Sequence, residues 1–272
     1  MDKKMPVMLT FDVDGESLWA SRDPENLKRP VCTSLGQYGI VEGVPRILEL
    51  LDKYQVPGTF FVPGMIAERY PEMVKKIAGK QHEIGNHSYS HTYPDQLPSR
   101  EAEKEEYVKT GKILEDLIGE APKGYRSPAW EFSEHTFDII REMGFKYSSN
   151  MMHTDRIGYL EVFGEKSNIV ELPIHWALDD AAFWLYSVRI VGKAMQPISS
   201  VEGFWKAEFD GLYEEFCKEE NSDICFILTC HPQVIGRPAR MKVLENVIQH
   251  IKGNTHIEFT TCYQTVQKYI KK

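Results

Sequence analysis

The stretch Pro6-Val7-Met8-Leu9-Thr10-Phe11-Asp12-Val13-Asp14-Gly15 decides how this chain is read. Residues 6–11 form a continuous apolar run of the kind that makes a strand buried on both faces, as in a parallel sheet covered by helices. Asp12 and Asp14 follow at its C-terminal end, where α/β folds place their active sites. Two residues apart on extended backbone, the two carboxylates point to the same side. Asp and Gly are also ordinary turn residues, so this stretch acquires chemical meaning only if other strands end in the same way.

Working outward, they do. Thr59-Phe60-Phe61-Val62 reads as a second buried strand, and Glu83-Ile84-Gly85-Asn86 as a third that runs into His87-Ser88-Tyr89-Ser90-His91. Two imidazoles at i and i+4 share a face on a helical turn, and a divalent metal could join them, given a third ligand and an open position for water. Lys123 to Arg126 is a short fourth strand opening into Ser127-Pro128-Ala129-Trp130, and Phe145 to Ser149 begins a fifth. Ile169 to Trp176 reads as a sixth strand, followed by Asp179 and Asp180; Cys225 to Thr229 is a seventh, ending at Cys230-His231-Pro232, and Ile257 to Thr260 a last one. Asp12/Asp14, His87/His91, Arg126 with Trp130, His231 and Asp179/Asp180 thus all lie at strand C-termini, which converge on one rim in a barrel.

Helices alternate with these strands. Ser99 caps a helix that Gly119 ends, and its charge run (Arg100, Glu101, Glu103, Lys104, Glu105, Glu106) reads as a solvated face. Ser133 caps another through Met143, and Glu202 to Glu220 is amphipathic with Phe204, Trp205, Phe209, Leu212, Tyr213 and Phe216 on its buried side. Leu18 to Gly39 has no apolar period and reads as a long loop, expected to be an active-site lid or an oligomer contact; residues 150–168 also read as a loop region. Strand–helix alternation implies an α/β fold with a parallel sheet, and apolar strands without GxGxxG or GxxxxGK[ST] favour a barrel over an open sheet. With no repeat and no low-complexity segment, residues 1–272 are expected to form one domain.

Composition sets the limits. A net charge of −8 disfavours a nucleic-acid partner. Five cysteines without a CxxC pair read as reduced thiols. The N-terminal apolar run is broken by Asp12 and Asp14, and no 18-residue apolar stretch occurs. A cytoplasmic protein with no membrane partner is the expectation.

With these residues in hand, the chain resembles the polysaccharide deacetylases that carry the NodB homology domain, carbohydrate esterase family 4. That family's first motif appears as Thr10-Phe11-Asp12-Val13-Asp14-Gly15 with one inserted residue, and its histidine motif as His87-Ser88-Tyr89-Ser90-His91 unchanged. Arg126-Ser127-Pro128 and Leu228-Thr229-Cys230-His231-Pro232 match two further motifs in the same order, so the likeness spans residues 7–235. The spaced first motif and the Gly236-Arg237-Pro238 tail are closest to an intracellular, peptidoglycan deacetylase-like branch. The resemblance implies a distorted (β/α)7-8 barrel. It implies that Asp14, His87 and His91 hold a divalent metal, expected to be zinc, that Asp12 is the general base oriented by Arg126, and that His231 is the general acid. Asp179 or Asp180 would steady His231, since His175-Trp176-Ala177-Leu178-Asp179-Asp180 has the residue types of the family's fourth motif in another order. Trp130, Trp176 and Leu228 are expected to contact substrate.

The implied reaction is hydrolysis of a non-peptide C–N bond, such as the acetamide of an N-acetylated sugar or oligosaccharide. Two other readings stand beside it: a cytoplasmic cyclic amide or imide hydrolase of the allantoinase kind, and a non-catalytic carbohydrate-binding barrel. A Cys230 nucleophile is disfavoured, because neighbours along a strand face opposite sides. Trp19, Trp130, Trp176 and Trp184 are candidates for a sugar-stacking wall, and a homo-oligomer is expected.

Overall fold

The structure, a computed structural model, describes residues 3–186, 194–220 and 222–271. Among the described residues nine strands form one sheet: β1 (Met5–Asp12), β2 (Thr59–Val62), β3 (Glu83–Asn86), β4 (Gly124–Tyr125), β5 (Tyr147–Ser148), β6 (Gly158–Val162), β7 (Glu165–Glu171), β8 (Phe226–Cys230) and β9 (Ile257–Phe259). Their order is β6-β7-β5-β4-β3-β2-β1-β8, with β9 also paired to β1. Every pairing is parallel except β6 with β7. The sheet curls into a distorted barrel in which isolated bridges, Arg156–Ile224 and Asp179–Thr229, span the gap beside β8.

The two-residue period of the strands sorts their side chains. On β1, Met5, Val7, Leu9 and Phe11 join the large core beneath the helices, while Met8 joins the interior cluster with Phe61, Tyr147, Val170, Leu172 and Ile227. The same inner face continues through Thr10 to Asp12. On β8, Phe226, Leu228 and Cys230 pack outward and Ile227 inward, which leaves Thr229 and His231 for the interior. An apolar plug at the base of the barrel therefore gives way to polar groups at its top. Register brings those tops level: Asp12 pairs with Phe61, Val62 with Asn86, Asn86 with Tyr125, and Phe11 with Cys230. The residues that follow, His87, Arg126 and His231, emerge on one rim beside Asp12.

Several sequence expectations are corrected. The Leu18–Gly39 arm is helical: Ser17–Ala20, a 3-10 turn at Pro24–Lys28, then Pro30–Tyr38, which continues through Gly39–Gly43 into Val44–Tyr54. It lacks an apolar period because it packs partly through glycine; a Cβ at Gly36 would lie 2.4 Å from the carbonyl carbon of Gly15. The region 150–168 contains β6 and the start of β7, joined by Phe163-Gly164, both at positive φ. That is a hairpin turn, hidden in the sequence because this edge ribbon is polar. The sixth strand is displaced toward the N-terminus and ends at Glu171, ahead of Pro173. Glu103, assigned to a solvated face, is buried and accepts hydrogen bonds from Tyr107, Ser133 and Thr136. Ser133 therefore anchors to Glu103, and the helix begins later, at Thr136. Phe204, expected on the buried side, is 39% exposed.

Candidate metal and acid–base site

A cavity of about 280 Å³ opens at the rim, lined by Asp12, Asp14, His87, His91, Trp130, Trp176, Asp179 and His231, with Leu18 and Arg22 from the N-terminal arm. Asp14 lies just beyond β1, where the chain turns at Gly15 (φ +52°). A Cβ there would meet Ile66 at 2.8 Å, so glycine suits both the backbone and the space. The two histidines converge by a route other than the expected helical turn. Residues 87–91 are an irregular loop after β3, with Ser88 and His91 in the left-handed region at φ +61° and +62°.

Asp14 Oδ1 is 3.4 Å from both His87 Nε2 and His91 Nε2. A tetrahedral ion with bonds of about 2.1 Å has ligands about 3.4 Å apart. His87 Nδ1 lies 2.8 Å from the Arg126 carbonyl; a carbonyl only accepts, so Nδ1 carries the proton and Nε2 presents its lone pair. All three residues are buried, and among the described residues Asp14 Oδ1 has no hydrogen-bond partner. An unsatisfied buried carboxylate oxygen is costly, and here it faces two imidazole nitrogens. Burial favours the neutral acid, but the fields of His91 and His231 outweigh it and hold the Asp14 carboxyl well below its usual range. These residues fit a divalent cation: one carboxylate oxygen without a hydrogen bond and two imidazole nitrogens, all turned toward one point.

Asp12 sits 2.8 Å from Arg126 Nη1, with both side chains out of solvent. Arg126 is fixed on every side: Nη1 also donates to Thr10 Oγ1, Nη2 donates to Ser149 Oγ, Nε donates to the Ser149 carbonyl, and the guanidinium lies 4.2 Å from the centre of the Phe61 ring. A guanidinium held this firmly fixes the orientation of the carboxylate it contacts.

The third group resolves the choice between the two aspartates. His231 Nδ1 is 2.7 Å from Asp180 Oδ1, and the His231 backbone N–H donates to the same carboxylate. Asp179 is 3.8 Å from Nδ1 and instead accepts from Ala181 and Ala182, capping the short helix Asp180–Trp184. Asp180 is thus the carboxylate in hydrogen-bond contact with His231, and Asp179 is the cap. Burial opposes a charged imidazole, yet Asp179, Asp14 and Asp180 surround His231 and raise its pKa well above the ordinary value. Burial likewise pushes the Asp179 carboxyl up to about 7, against the pull of His231.

Other expected contacts are corrected. Leu228 is 1% exposed in the outward core and does not line the cavity, because β8 turns that position away from His231 by its two-residue period. Cys230 shares that outward face, and burial drives its thiol well above the usual value, which leaves no nucleophile there. Of the four tryptophans, Trp176 alone is exposed; it stacks on Trp130 with ring centres 4.2 Å apart. Trp19 and Trp184 are buried beside a neighbouring hollow. The sequence reading did not single out Thr10, Ser149 or Gln233. Gln233 Nε2 donates to Asp14 Oδ2 at 3.2 Å. Its place two residues past His231 is a weak cue, whereas Ser149 reaches Arg126 from a separate strand and leaves no local trace.

With that geometry in place, the polysaccharide deacetylase family model matches residues 2–148. The chain belongs to the polysaccharide deacetylase family. It is 29% identical to the peptidoglycan deacetylase of Helicobacter pylori over 100% of its own length and 98% of that protein's. A Mycobacterium smegmatis chain designated a polysaccharide deacetylase superposes with a TM-score of 0.90 at 33% identity, covering 100% of this chain and 92% of the other. The PuuE allantoinase shares the fold, with a TM-score of 0.84 at 20% identity over 99% of this chain and 91% of that one. Among the described residues no helix is long and apolar enough to cross a membrane.

Proposed function

We propose that the protein is a metal-dependent hydrolase that removes the acetyl group from an N-acetylated sugar or a related small amide. The observation that carries this reading is the convergence of Asp14 Oδ1, which has no hydrogen-bond partner among the described residues, on the Nε2 atoms of His87 and His91 at 3.4 Å, with a base pair and an acid pair around the same cavity. Full-length similarity to a peptidoglycan deacetylase supports the substrate class. Asp14, His87 and His91 would hold the ion, with zinc the expected metal from the mixed N/O donor set. When bound, it supplies Lewis acidity toward an acyl oxygen and toward water.

The chain's own groups account for the proton movements. Asp12, oriented by Arg126, takes a proton from the attacking water as its oxygen bonds to the acyl carbon. The tetrahedral intermediate then collapses, and the C–N bond breaks as His231 Nε2 delivers a proton to the departing nitrogen. Asp180 at Nδ1 holds the imidazole in the orientation that aims Nε2 at the cavity. Acetate and a free amine result. Trp176, stacked on Trp130, offers an exposed ring face at the mouth for a sugar ring.

The same reading includes cytoplasmic residence and a homo-oligomer. Five unpaired cysteines support the first, and the exposed Leu27, Val31 and Leu35 on the N-terminal arm support the second. Solution mass with and without the arm tests the latter. The function itself is tested by metal-stripped and zinc-reloaded protein on N-acetylated sugars and cyclic imides. Metal-restored release of acetate supports the proposal. Equal turnover by stripped protein would defeat it, and metal-independent opening of an imide would favour the cyclic-amide reading.

A further inference from the structure

The loop that carries both histidines follows an uncommon path, and one carboxylate on a distant helix holds it there. Glu106 lies in the N-terminal half of the helix Arg100–Ile118, and its Oε2 accepts from the Tyr89 N–H at 2.9 Å, the Ser90 N–H at 2.6 Å, Ser88 Oγ at 2.9 Å and Ser90 Oγ at 2.9 Å. Successive backbone N–H groups after a left-handed residue form a concave anion site; here Ser88 supplies the left-handed turn and the protein supplies its own anion. The opposite side of the loop is closed by the start of the helix Gly64–Arg69, where the N–H groups of Gly64 and Met65 donate to the carbonyls of Ser88 and Tyr89. A Cβ at Gly64 would come within 2.6 Å of the Tyr89 ring, so the loop is gripped between two helices. His87 and His91 flank the gripped residues directly.

His87 is also anchored through its Nδ1 to the Arg126 carbonyl, but among the described residues His91 Nδ1 has no hydrogen-bond partner. The position of His91 Nε2 therefore depends on the backbone between 88 and 90. We propose that Glu106 is a positioning residue that sets the affinity of the Asp14/His87/His91 site by holding this backbone in its left-handed turn. The proposal rests on the metal-site reading. Glu106 touches neither substrate nor the ligand atoms; it acts on His91 through the loop, in the way outer groups orient ligating histidines. Glu103, one turn earlier on the same helix, is an internal control, because its carboxylate serves Tyr107, Ser133 and Thr136 and has no contact with the loop.

The experiment is a zinc competition titration against a chromophoric chelator, with thermal unfolding recorded on the same metal-free samples, for the wild type and the variants Glu106→Ala, Glu106→Gln, Glu103→Gln and His91→Ala. Glu106→Ala is expected to raise the zinc Kd about 10- to 100-fold. Glu106→Gln should raise it less, since an amide oxygen still accepts, and it carries the test if the alanine variant does not fold. Glu103→Gln is expected to lower Tm and leave the Kd at the wild-type value. Wild-type affinity in both Glu106 variants would overturn the proposal, as would an equal loss in Glu103→Gln, which would make the effect one of general stability. If wild type and His91→Ala bind zinc equally poorly, the metal reading itself falls and this inference falls with it.

Discussion

Two clusters on the same rim are built from the same residue types and differ in how their atoms are satisfied. Asp14, His87 and His91 form one; Asp179, Asp180 and His231 form the other, and each brings its potential ligand atoms within 4.8 Å of one another. In the second, the nitrogen that faces the carboxylates is taken: His231 Nδ1 is bound to Asp180, and Asp179 caps a helix. In the first, Asp14 Oδ1 faces two imidazole nitrogens without a hydrogen bond, and the proton on His87 is fixed on the far nitrogen. Composition and spacing cannot separate a proton-transfer pair from a metal site. The pattern of satisfied and orphaned atoms can.

The largest expected effect that would break this comparison comes from the metal side. His87→Ala/His91→Ala should reduce zinc from about one ion per chain to none and lower kcat/KM by about 10³-fold or more, measured by elemental analysis and acetate release. Retained stoichiometry would mean that the ion sits elsewhere. Next, Asp12→Asn should lower kcat by about 10²- to 10⁴-fold while zinc content stays at the wild-type level; loss of zinc would make Asp12 a ligand and not a base.

A smaller effect sharpens the acid side. Nearby carboxylates raise the pKa of His231, so its proton-donating form persists above the ordinary histidine range and activity falls on the alkaline side as that proton is lost. Asp180→Asn removes one of those charges, lowers the pKa, and should shift the alkaline limb of the kcat–pH profile to lower pH. An unmoved limb would detach His231 from that limb. The smallest effect concerns the outward face of β8: Cys230→Ala should cost about 1 kcal/mol of stability in a denaturant melt and leave kcat unchanged. A large loss of kcat would restore the nucleophile reading.

Much of this was legible in the sequence where apolar runs and strand ends coincide. β2 and β3 appear at their observed limits, and Asp12, Asp14, His87, His91 and His231 reach one cavity, with Arg126 behind Asp12, because parallel strands in register present their C-termini together. The hairpin at β6 and β7 was not legible, because an exposed edge ribbon shows no apolar alternation and its turn is Phe-Gly, not Asn-Gly. The arm was misread because glycine contacts replace a hydrophobic stripe. The Glu103–Glu106 stretch looked like a solvated charge run, yet both carboxylates turn inward to hydroxyls and N–H groups supplied by other segments. The choice of Asp180 over Asp179 needed the extended backbone at Asp179 between two helical turns, which adjacent residue types do not encode.

The most direct test is a crystal structure of the zinc-loaded protein with anomalous data collected on both sides of the zinc absorption edge. The account predicts one anomalous peak about 2.0–2.2 Å from Asp14 Oδ1, His87 Nε2 and His91 Nε2. A peak among Asp179, Asp180 and His231, or no peak on the rim, would contradict it.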